Sequence, residues 1–248
     1  MLDEVIRIAR AGGEEVLAVY DEPAEVRTKT DGSPVTEADE RAQEVICAGL
    51  AELAPGVPIL AEEGCDPERT AVPEGSFWLV DPLDGTKEFI NRNGEFTVNI
   101  ALIDDGEPVL GVVLAPALGR LFAADGTDAV LEDEDGRRGI SARAAPEAGI
   151  TVVSSRSHGD PEALARFAAG RKIAASINAG SSLKFCLVAA GEADLYPRFG
   201  RTMEWDTAAG HAVLRAAGGR VTDLDGTPLR YGKPGFENPH FVARGRER

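Results

Sequence analysis

The sequence of residues 78–90 is WLVDPLDGTKEFI, in which an apolar run leads into two aspartates that Pro82 and Leu83 separate. Short apolar runs bounded by turn residues are typical of buried strands, and proline and glycine are the strongest turn-forming residues. The segment therefore predicts a buried strand that ends in a tight loop, from which Asp81 and Asp84 both project.

The sequence on either side of this loop predicts two parts with different secondary structure. Before it, apolar residues recur at helical spacing in residues 2–20 and 38–53, which predicts two amphipathic helices. After it, FTVNIALI, VLGVVLA and RLFAA are rich in β-branched and aromatic residues and predict consecutive strands. From residue 150 onward, strand-like and helix-like runs alternate, as in an α/β layer structure. We therefore expect an α+β part, residues 1–135, and an α/β part, residues 136–248, with the boundary near the exposed acidic turn EDEDGRRG.

The charge balance is strongly acidic, with 42 Asp and Glu against 26 Lys and Arg and a formal net charge of −16. Binding to a nucleic-acid polymer depends on a basic surface, so this composition argues against a DNA or RNA partner and favours a small-molecule substrate. Most of the carboxylates are expected to form a solvated surface. An anionic substrate would then need metal ions, held by a few clustered carboxylates, to offset the repulsion.

Cysteine use and hydropathy predict a cytoplasmic protein. The three cysteines form no C-x-x-C pair, which favours a reducing compartment, and we expect Cys47 and Cys186 to pack as small buried hydrophobes. The N-terminal residues lack the uninterrupted apolar run of a secretory signal, and no stretch approaches the roughly 20 apolar residues of a membrane span. We expect no integral membrane contact, and a monomer or a homodimer.

Asp81 and Asp84 are candidate ligands of a divalent cation. Mg²⁺ usually takes one or two protein carboxylates while substrate phosphate and water complete its shell. The alternative is a polar turn in which Asp84 caps the following helix. Glu62 and Glu63 could add a further carboxylate ligand; the alternative is that they form a solvated acidic loop. Asp206 precedes a helix of small residues, which it alternatively caps.

Asp39 has two competing interpretations. Thr36 and Asp39 match the S/T-x-x-D/E pattern of a helix capping box, in which each side chain bonds to the backbone of the other residue. The same carboxylate is a candidate for a catalytic role. The residues alone leave both interpretations open.

The acidic elements resemble those of the inositol-monophosphatase superfamily in kind and order. In that family an E-E pair, D-P-[IL]-D-G-T and W-D carry the metals, and this chain has Glu62-Glu63, DPLDGT at 81–86 and Trp205-Asp206. The segments GEFTVNIAL, SSRSH, GSSLKFCLVA, LYPRFG and WDTAAGHAV are similar to the bisphosphate nucleotidases within that superfamily. The resemblance covers nearly the whole chain, although Met203-Glu204 departs from the expected pattern and leaves the substrate contacts of that loop open.

The resemblance implies a fold, a reaction and a set of ions. The fold would be the layered α-β-α-β-α sandwich of the sugar phosphatases. The reaction would be the hydrolysis of adenosine 3',5'-bisphosphate to AMP and phosphate by an activated water. Two or three Mg²⁺ ions would serve as cofactors, and Li⁺ and Ca²⁺ would inhibit. Loose attachment to the cytoplasmic face of the inner membrane, which some relatives show, would be compatible with the sequence.

The resemblance also implies residue roles. Metal contacts would come from Glu62, Asp81, Asp84, Asp206 and the Leu83 carbonyl. Asp39 and Thr86 would form a dyad that orients the attacking water. The backbone N–H groups of Gly85 and Thr86 would hold the phosphate at a helix N-terminus. The remaining contacts to the nucleotide would come from Lys87, Ser157, His158, Ser181, Lys184 and Arg198.

Several alternatives stay open from the sequence. The acidic site alone is equally compatible with an inositol monophosphatase or another sugar phosphatase. A catalytically silent nucleotide- or metal-binding regulator is a rival from another class. Among the proposed nucleotide contacts, His158 alternatively caps a helix, Lys184 is alternatively a solvent-exposed helix charge, and Arg198 alternatively pairs with a surface acid.

Overall fold

The computed structural model describes residues 1–21, 26–28, 34–126, 128–156 and 161–247. The helices are α1 (Leu2–Tyr20), α2 (Glu37–Leu53), α3 (Thr86–Ile90), α4 (Pro161–Ala168), α5 (Leu183–Ala189) and α6 (Glu204–Ala216). The strands are β1 (Val26–Thr28), β2 (Pro34–Thr36), β3 (Ile59–Ala61), β4 (Phe77–Asp84), β5 (Thr97–Asp104), β6 (Glu107–Ala115), β7 (Arg120–Asp125), β8 (Asp128–Asp133), β9 (Gly136–Gly139), β10 (Ile150–Ser155), β11 (Ile173–Ala179), β12 (Leu195–Arg198), β13 (Arg220–Asp223) and β14 (Phe241–Arg244).

A seven-stranded sheet forms the first large layer, in the order β3-β4-β5-β6-β7-β8-β9. Only β3 and β4 are parallel; the other neighbours are antiparallel. Side chains alternate between the faces of a strand. Trp78 and Val80 therefore pack with α1 and α2 on one face, while Phe77 and Leu79 join the core of α5 and α6 on the other. Burial on both faces explains why β4 is an unbroken apolar run.

A five-stranded sheet forms the second large layer, in the order β11-β10-β12-β14-β13. Strands β10, β11 and β12 are parallel, and β14 runs antiparallel to both β12 and β13. Helices α5 and α6 fill the space between the sheets, where the Phe185 ring lies 5.1 Å from that of Tyr196 and 5.5 Å from that of Phe241. On the outer face, Leu164 and Phe167 of α4 pack against a small core of Val152, Leu195 and Val242. The succession of layers is thus α-β-α-β-α, which confirms the fold class predicted from the sequence.

The two N-terminal helices and the consecutive strands after residue 77 are confirmed, but the acidic turn is more ordered than predicted. Within EDEDGRRG, Gly136–Gly139 forms β9 and pairs with β8, so the first sheet extends past residue 135. All four residues of this edge strand are exposed, so its pairing with β8, and not an apolar pattern, makes it a strand. The division into two parts at that point stays a prediction.

Two smaller expectations have mixed outcomes. Cys186 is buried as predicted, whereas Cys47 is only partly buried. Asp206 does not precede its helix, because α6 begins at Glu204 and the carboxylate lies in the first turn. Within the described ranges, no helix combines the length and the apolar character needed to cross a membrane. The cytoplasmic location, any peripheral membrane attachment and the oligomeric state stay predictions.

Candidate active site

The end of β4 carries the two aspartates into one cavity by means of a β-bulge. Asp81 pairs with Asn99 and Asp84 pairs with Thr97, so the β4 segment is one residue longer than the β5 segment opposite it. Residues three apart in a regular strand face opposite sides of a sheet. The extra residue reverses that alternation, and both carboxylates line the same cavity. Gly85 then adopts φ 92°, a left-handed conformation that glycine takes without strain.

The cavity has a volume of about 410 Å³ and lies between the two sheets. It brings together most of the predicted site residues: Glu62, Asp81, Leu83, Asp84, Gly85, Thr86, Lys87, Ser181, Lys184, Arg198 and Asp206. Ser157 and His158 lie outside the described residues. Asp39 is not among the described residues that line the cavity, although it interacts electrostatically with Glu62 and Glu63 beside it.

Three carboxylates in this cavity form a candidate metal centre. Glu62, Asp81 and Asp206 each offer one oxygen, and the three oxygens lie within 4.8 Å of one another. Asp81 Oδ1 accepts a hydrogen bond of 3.0 Å from the Leu83 backbone N–H, while its buried Oδ2 has no hydrogen-bond partner within the described part of the chain. A buried carboxylate oxygen without a partner is costly, and a hard divalent cation would satisfy it. The donor set therefore fits such an ion.

The pKa shifts of these carboxylates also indicate a cation site. Burial, and then repulsion from Glu62, raises the pKa of Asp81 well above the usual value, and burial with repulsion from Asp84 does the same to the pKa of Asp206. Burial raises the pKa of Asp84 to about 6 even though attraction to Lys184 opposes the shift. Crowded acids that share a buried site cannot all ionise without a compensating cation.

Asp206 and Asp39 both have structural roles at helix starts. Asp206 Oδ2 accepts a hydrogen bond of 2.8 Å from Met203 N, so the residue caps α6 as well as joining the carboxylate cluster. Asp39 Oδ2 accepts from Thr36 N at 2.8 Å and from Thr36 Oγ1 at 2.7 Å, which completes the predicted capping box of α2. Burial raises the pKa of Asp39 to about 7, against the lowering effect of these hydrogen bonds.

The predicted dyad of Asp39 and Thr86 stays a prediction. Thr86 Oγ1 lies 3.5 Å from the Leu83 carbonyl oxygen, at the limit of a hydrogen bond. Such a weak contact leaves the hydroxyl able to rotate toward a ligand, while Asp39 keeps its bonds to Thr36.

Lys184 is a buried cation, and the interpretation as a solvent-exposed helix charge is wrong. Its side chain is almost completely buried, and desolvation lowers its pKa to about 8 even though attraction to Asp84 raises it. Nζ donates to the carbonyl oxygens of Ala179 and Ser181 and lies 5.4 Å from the Tyr196 ring centroid. The ammonium group is thus fixed at the cavity wall. Arg198 at the end of β12 is also buried, and its Nη2 donates to Arg201 O over 3.1 Å.

The structure reveals supporting contacts around the cavity that the sequence did not predict. Ser182 Oγ donates to Asn99 Oδ1 at 2.7 Å, and Asn99 Nδ2 lies 3.5 Å from Asp84 Oδ2. Glu88 is buried, lines the cavity and repels Asp84. Ser181 adopts a positive φ of 44°, a strained conformation for a residue with a side chain, and its Oγ donates to Glu95 O at 3.0 Å. The contacts of Asn99 and Ser181 join residues at least 15 positions apart, so no local pattern could predict them.

Glu204, one of the two residues that depart from the expected pattern, has a structural role. Its carboxylate is completely buried, accepts from Lys233 Nζ at 2.5 Å, and accepts from the backbone N–H groups of Gly232 and Lys233 at 2.7 and 2.9 Å. A buried ion pair with these extra hydrogen bonds is well satisfied. Glu204 therefore anchors the 230–233 segment to the start of α6.

Comparison with known proteins is consistent with this geometry. Residues 1–245 match the inositol monophosphatase family. The chain is 51% identical to the 3'(2'),5'-bisphosphate nucleotidase CysQ of Escherichia coli over 246 residues, which cover 97% of this chain and 98% of that protein. A crystal structure of CysQ from Bacteroides thetaiotaomicron, 40% identical, superposes with a TM-score of 0.84 and covers 99% of this chain and 97% of that one. The Thermotoga maritima IMPase, 27% identical, gives a TM-score of 0.78 over 98% of this chain and 91% of that one.

Proposed function

Because the chain belongs to the inositol monophosphatase family, we propose that it is a 3'(2'),5'-bisphosphate nucleotidase that hydrolyses adenosine 3',5'-bisphosphate to AMP and inorganic phosphate. The observation that carries this proposal is the similarity to the CysQ proteins along almost the full length of both chains. The cavity supports it, because it combines clustered carboxylates with two buried cations, Lys184 and Arg198.

The carboxylate cluster supports metal dependence. Members of the family are metal-dependent, and we propose two or three Mg²⁺ ions held by Glu62, Asp81, Asp84, Asp206 and the Leu83 carbonyl. When bound, such ions offset the charge of the phosphate and lower the pKa of water. We expect Li⁺ to inhibit, and Ca²⁺ to inhibit because its coordination is larger and less regular than that of Mg²⁺.

The loop that follows β4 would hold the reacting phosphate. The backbone N–H groups of Gly85 and Thr86 begin α3 and are suited to phosphate oxygens. Asp39 and the Thr86 hydroxyl would orient water and accept its proton. The water oxygen would bond to phosphorus as the bond to the 3'-oxygen breaks, and the 3'-oxygen would take up a proton from solvent water to become the 3'-hydroxyl of AMP.

The cationic wall would bind the second phosphate and the nucleoside. Lys184 and Arg198 are buried, and charge-assisted hydrogen bonds to a phosphate are strong in such surroundings. Lys87 and Ser181 line the same cavity and would contribute further contacts. Ser157 and His158 stay predicted contacts of the nucleotide.

The experiment that tests this proposal compares two substrates. Phosphate release from adenosine 3',5'-bisphosphate and from inositol 1-phosphate is measured with Mg²⁺ and again with excess chelator. We expect kcat/KM for the nucleotide to be larger by at least about 100-fold, and activity to vanish with the chelator. Equal or faster turnover of the inositol phosphate would identify the chain as an inositol phosphatase. No release from either substrate would identify a silent binding protein.

A further inference from the structure

A second cavity, of about 380 Å³, lies at the end of the five-stranded sheet opposite the candidate active site. Its lining includes Ile150, the first residue of β10, and Leu195, the first residue of β12. The candidate active site is lined by the last residues of the same strands, Ser155 and Arg198. Leu195 and Arg198 are three residues apart on β12. Since a strand rises about 3.3 Å per residue, the two cavities are only about 10 Å apart along this strand.

This second cavity is strongly basic although the chain has a formal net charge of −16. Its cationic lining residues are Arg171, Lys172, Arg220, Arg244 and Arg246, and its acidic ones are Asp194 and Glu247. Both acids already have partners. Asp194 accepts from Arg143 at 2.7 and 2.9 Å and from Thr151 N at 2.7 Å, and Glu247 pairs with Arg220.

Glu247 also attracts Arg244, but four of the cations have no acid paired with them. Among the described residues, Arg171, Lys172, Arg244 and Arg246 take part in no ion pair. Four positive groups around one cavity repel one another, and this repulsion falls when an anion binds between them. The cluster is therefore suited to an anionic ligand.

Arg244 gives an independent indication of the same kind. Its Nε is buried and has no hydrogen-bond acceptor within the described part of the chain. Burial, with repulsion from Arg220 and Arg171, lowers its pKa below the usual value for arginine. A buried guanidinium N–H without an acceptor is costly, and the oxygen of a bound anion would supply that acceptor.

The remaining wall of the cavity is apolar. Ile150, Leu195 and the Phe167 ring line it, and the guanidinium of Arg171 lies 4.1 Å from the centroid of that ring. A flat cationic group stacked on an aromatic ring can also stack on a planar ligand. Apolar and charged walls in one small cavity are typical of small-molecule sites.

We propose that this second cavity binds a phosphate group, either as inorganic phosphate or as part of a small phosphorylated molecule, independently of the candidate active site. The ligand would lie between Arg171, Lys172 and Arg244, with its oxygens accepting from the guanidinium groups. Any apolar portion would contact Phe167 and Leu195.

The test is calorimetric titration of the full chain with inorganic phosphate and, separately, with AMP, at fixed ionic strength because charge contacts are screened. We expect the wild type to bind one equivalent more than the double variant Arg171→Gln/Lys172→Gln, whatever number the candidate active site binds. Both changed side chains are exposed, so this variant should fold. Arg244→Gln should weaken binding of the additional equivalent, the one that the double variant loses, by at least about tenfold, the size of one charge-assisted hydrogen bond.

Arg166→Gln is the matched control, because Arg166 lies on α4 but outside the cavity lining. It should bind the same number of equivalents as the wild type. For the equivalent that the double variant loses, tighter binding of AMP than of phosphate would identify a nucleotide-like ligand, and equal binding would identify phosphate itself. The same number of equivalents in the wild type and in the double variant up to about 10 mM phosphate, or equal loss of binding in Arg166→Gln, would overturn the proposal.

Discussion

Arg156 donates two hydrogen bonds to Glu95, from Nε to Oε2 and from Nη2 to Oε1, and each is 2.8 Å long. Glu95 lies just before β5 of the first sheet, and Arg156 lies just after β10 of the second. Glu95 Oε2 also accepts from Gly180 N at 2.8 Å. The pair therefore joins the two sheets beside the segment that carries Ser181 at the cavity wall.

We expect Arg156→Gln to raise KM for the nucleotide several-fold with a smaller change in kcat, because the Ser181 segment loses an anchor but the carboxylate cluster does not. Stability should fall by at most about 1 kcal/mol, since the Arg156 side chain is 45% exposed. Steady-state kinetics and urea unfolding measure the two effects. Arg138→Gln is the control, because Arg138 is equally exposed and forms a similar pair with Asp133 on the distant β8–β9 hairpin. If KM for the nucleotide were the same in Arg156→Gln and Arg138→Gln, Arg156 would not position the Ser181 segment.

The metal-free protein should gain stability as the pH falls from about 7 to about 5. Burial raises the pKa of Asp84 to about 6 and that of Asp39 to about 7, against 3.8 for aspartate in an unfolded chain. In this window these carboxyl groups bind more protons in the folded state than in the unfolded state, so they favour folding as the pH falls. The raised pKa values of Asp81 and Asp206 act in the same direction, while buried His211, whose pKa is lowered to about 3, opposes part of the gain. Thermal unfolding in excess chelator should show Tm rising by a few degrees.

Saturating Mg²⁺ should reverse this trend, because a bound cation favours the ionised carboxylates and must compete with protons. Asp84→Asn should flatten the pH dependence of the metal-free protein. If the pH dependence of Tm without metal were the same in Asp84→Asn as in the wild type, the Asp84 carboxyl group would already be ionised at neutral pH.

Asp84→Asn should reduce turnover by at least about 100-fold while the fold survives, because the change removes one ligand charge at nearly constant shape and the metal contribution is worth several kcal/mol. Phosphate release is measured across a Mg²⁺ titration, with circular dichroism as the check on folding. Asp225→Asn, at an exposed turn, is the control and should leave turnover unchanged. Near-wild-type turnover of Asp84→Asn at saturating Mg²⁺ would remove Asp84 from the metal site.

The parts of the structure that could be predicted are those encoded locally. The turn of Asp81 and Asp84 follows from Pro82 and Gly85, and the apolar character of β4 follows from its burial on both faces. Strands β9 and β14 could not be predicted, since GRRG and FVAR are four residues each and become strands through pairing with distant partners.

The same limit applies to the candidate site. The helical pattern around Lys184 is compatible with an exposed side chain. In the structure the Lys184 ammonium group lies near the Tyr196 ring and is attracted by Asp84, which is 100 residues earlier in the chain. The partner of Glu204, Lys233, lies 29 residues away. Charge compensation of this kind is set by the packing of layers, so sequence identifies the charged residue but not its role.

Gly111→Ala should destabilise the protein by about 1 to 3 kcal/mol through overpacking. A Cβ at this position of β6 would lie 2.5 Å from the Ala209 carbonyl oxygen and 2.7 Å from the Ala212 Cβ, so α6 would have to shift. Since α6 carries Asp206, kcat should fall as well. Gly139→Ala on β9 is the control, because a Cβ there meets no atom within 4 Å. Unfolding curves that coincide for the two variants would show that α6 and β6 are not in close contact.

Arg198→Ala tests how the second phosphate is recognised, since the carboxylate cluster explains hydrolysis of one phosphate only. A guanidinium can hold a phosphate with paired hydrogen bonds, and Arg198 lies buried in the cavity wall. We expect kcat/KM for adenosine 3',5'-bisphosphate to fall by about 1.5 to 3 kcal/mol, mainly through KM. The measurement compares this substrate with adenosine 3'-monophosphate for both enzymes at fixed ionic strength.

The substrate without a 5'-phosphate should respond far less, because it has no group for the guanidinium to hold. Arg201→Ala is the matched control: Arg201 also lines the cavity, but its side chain is exposed and pairs with Glu237 at 3.2 Å. Its loss should affect both substrates slightly and equally. If Arg198→Ala also lowered kcat/KM for both substrates equally, Arg198 would stabilise the cavity wall without contacting the 5'-phosphate. Among the described residues that line the cavity, Lys184 would then be the other buried cation able to bind that group. The metal assignment would be unaffected, because it depends on the unpartnered Asp81 oxygen and on the carboxylates that surround it.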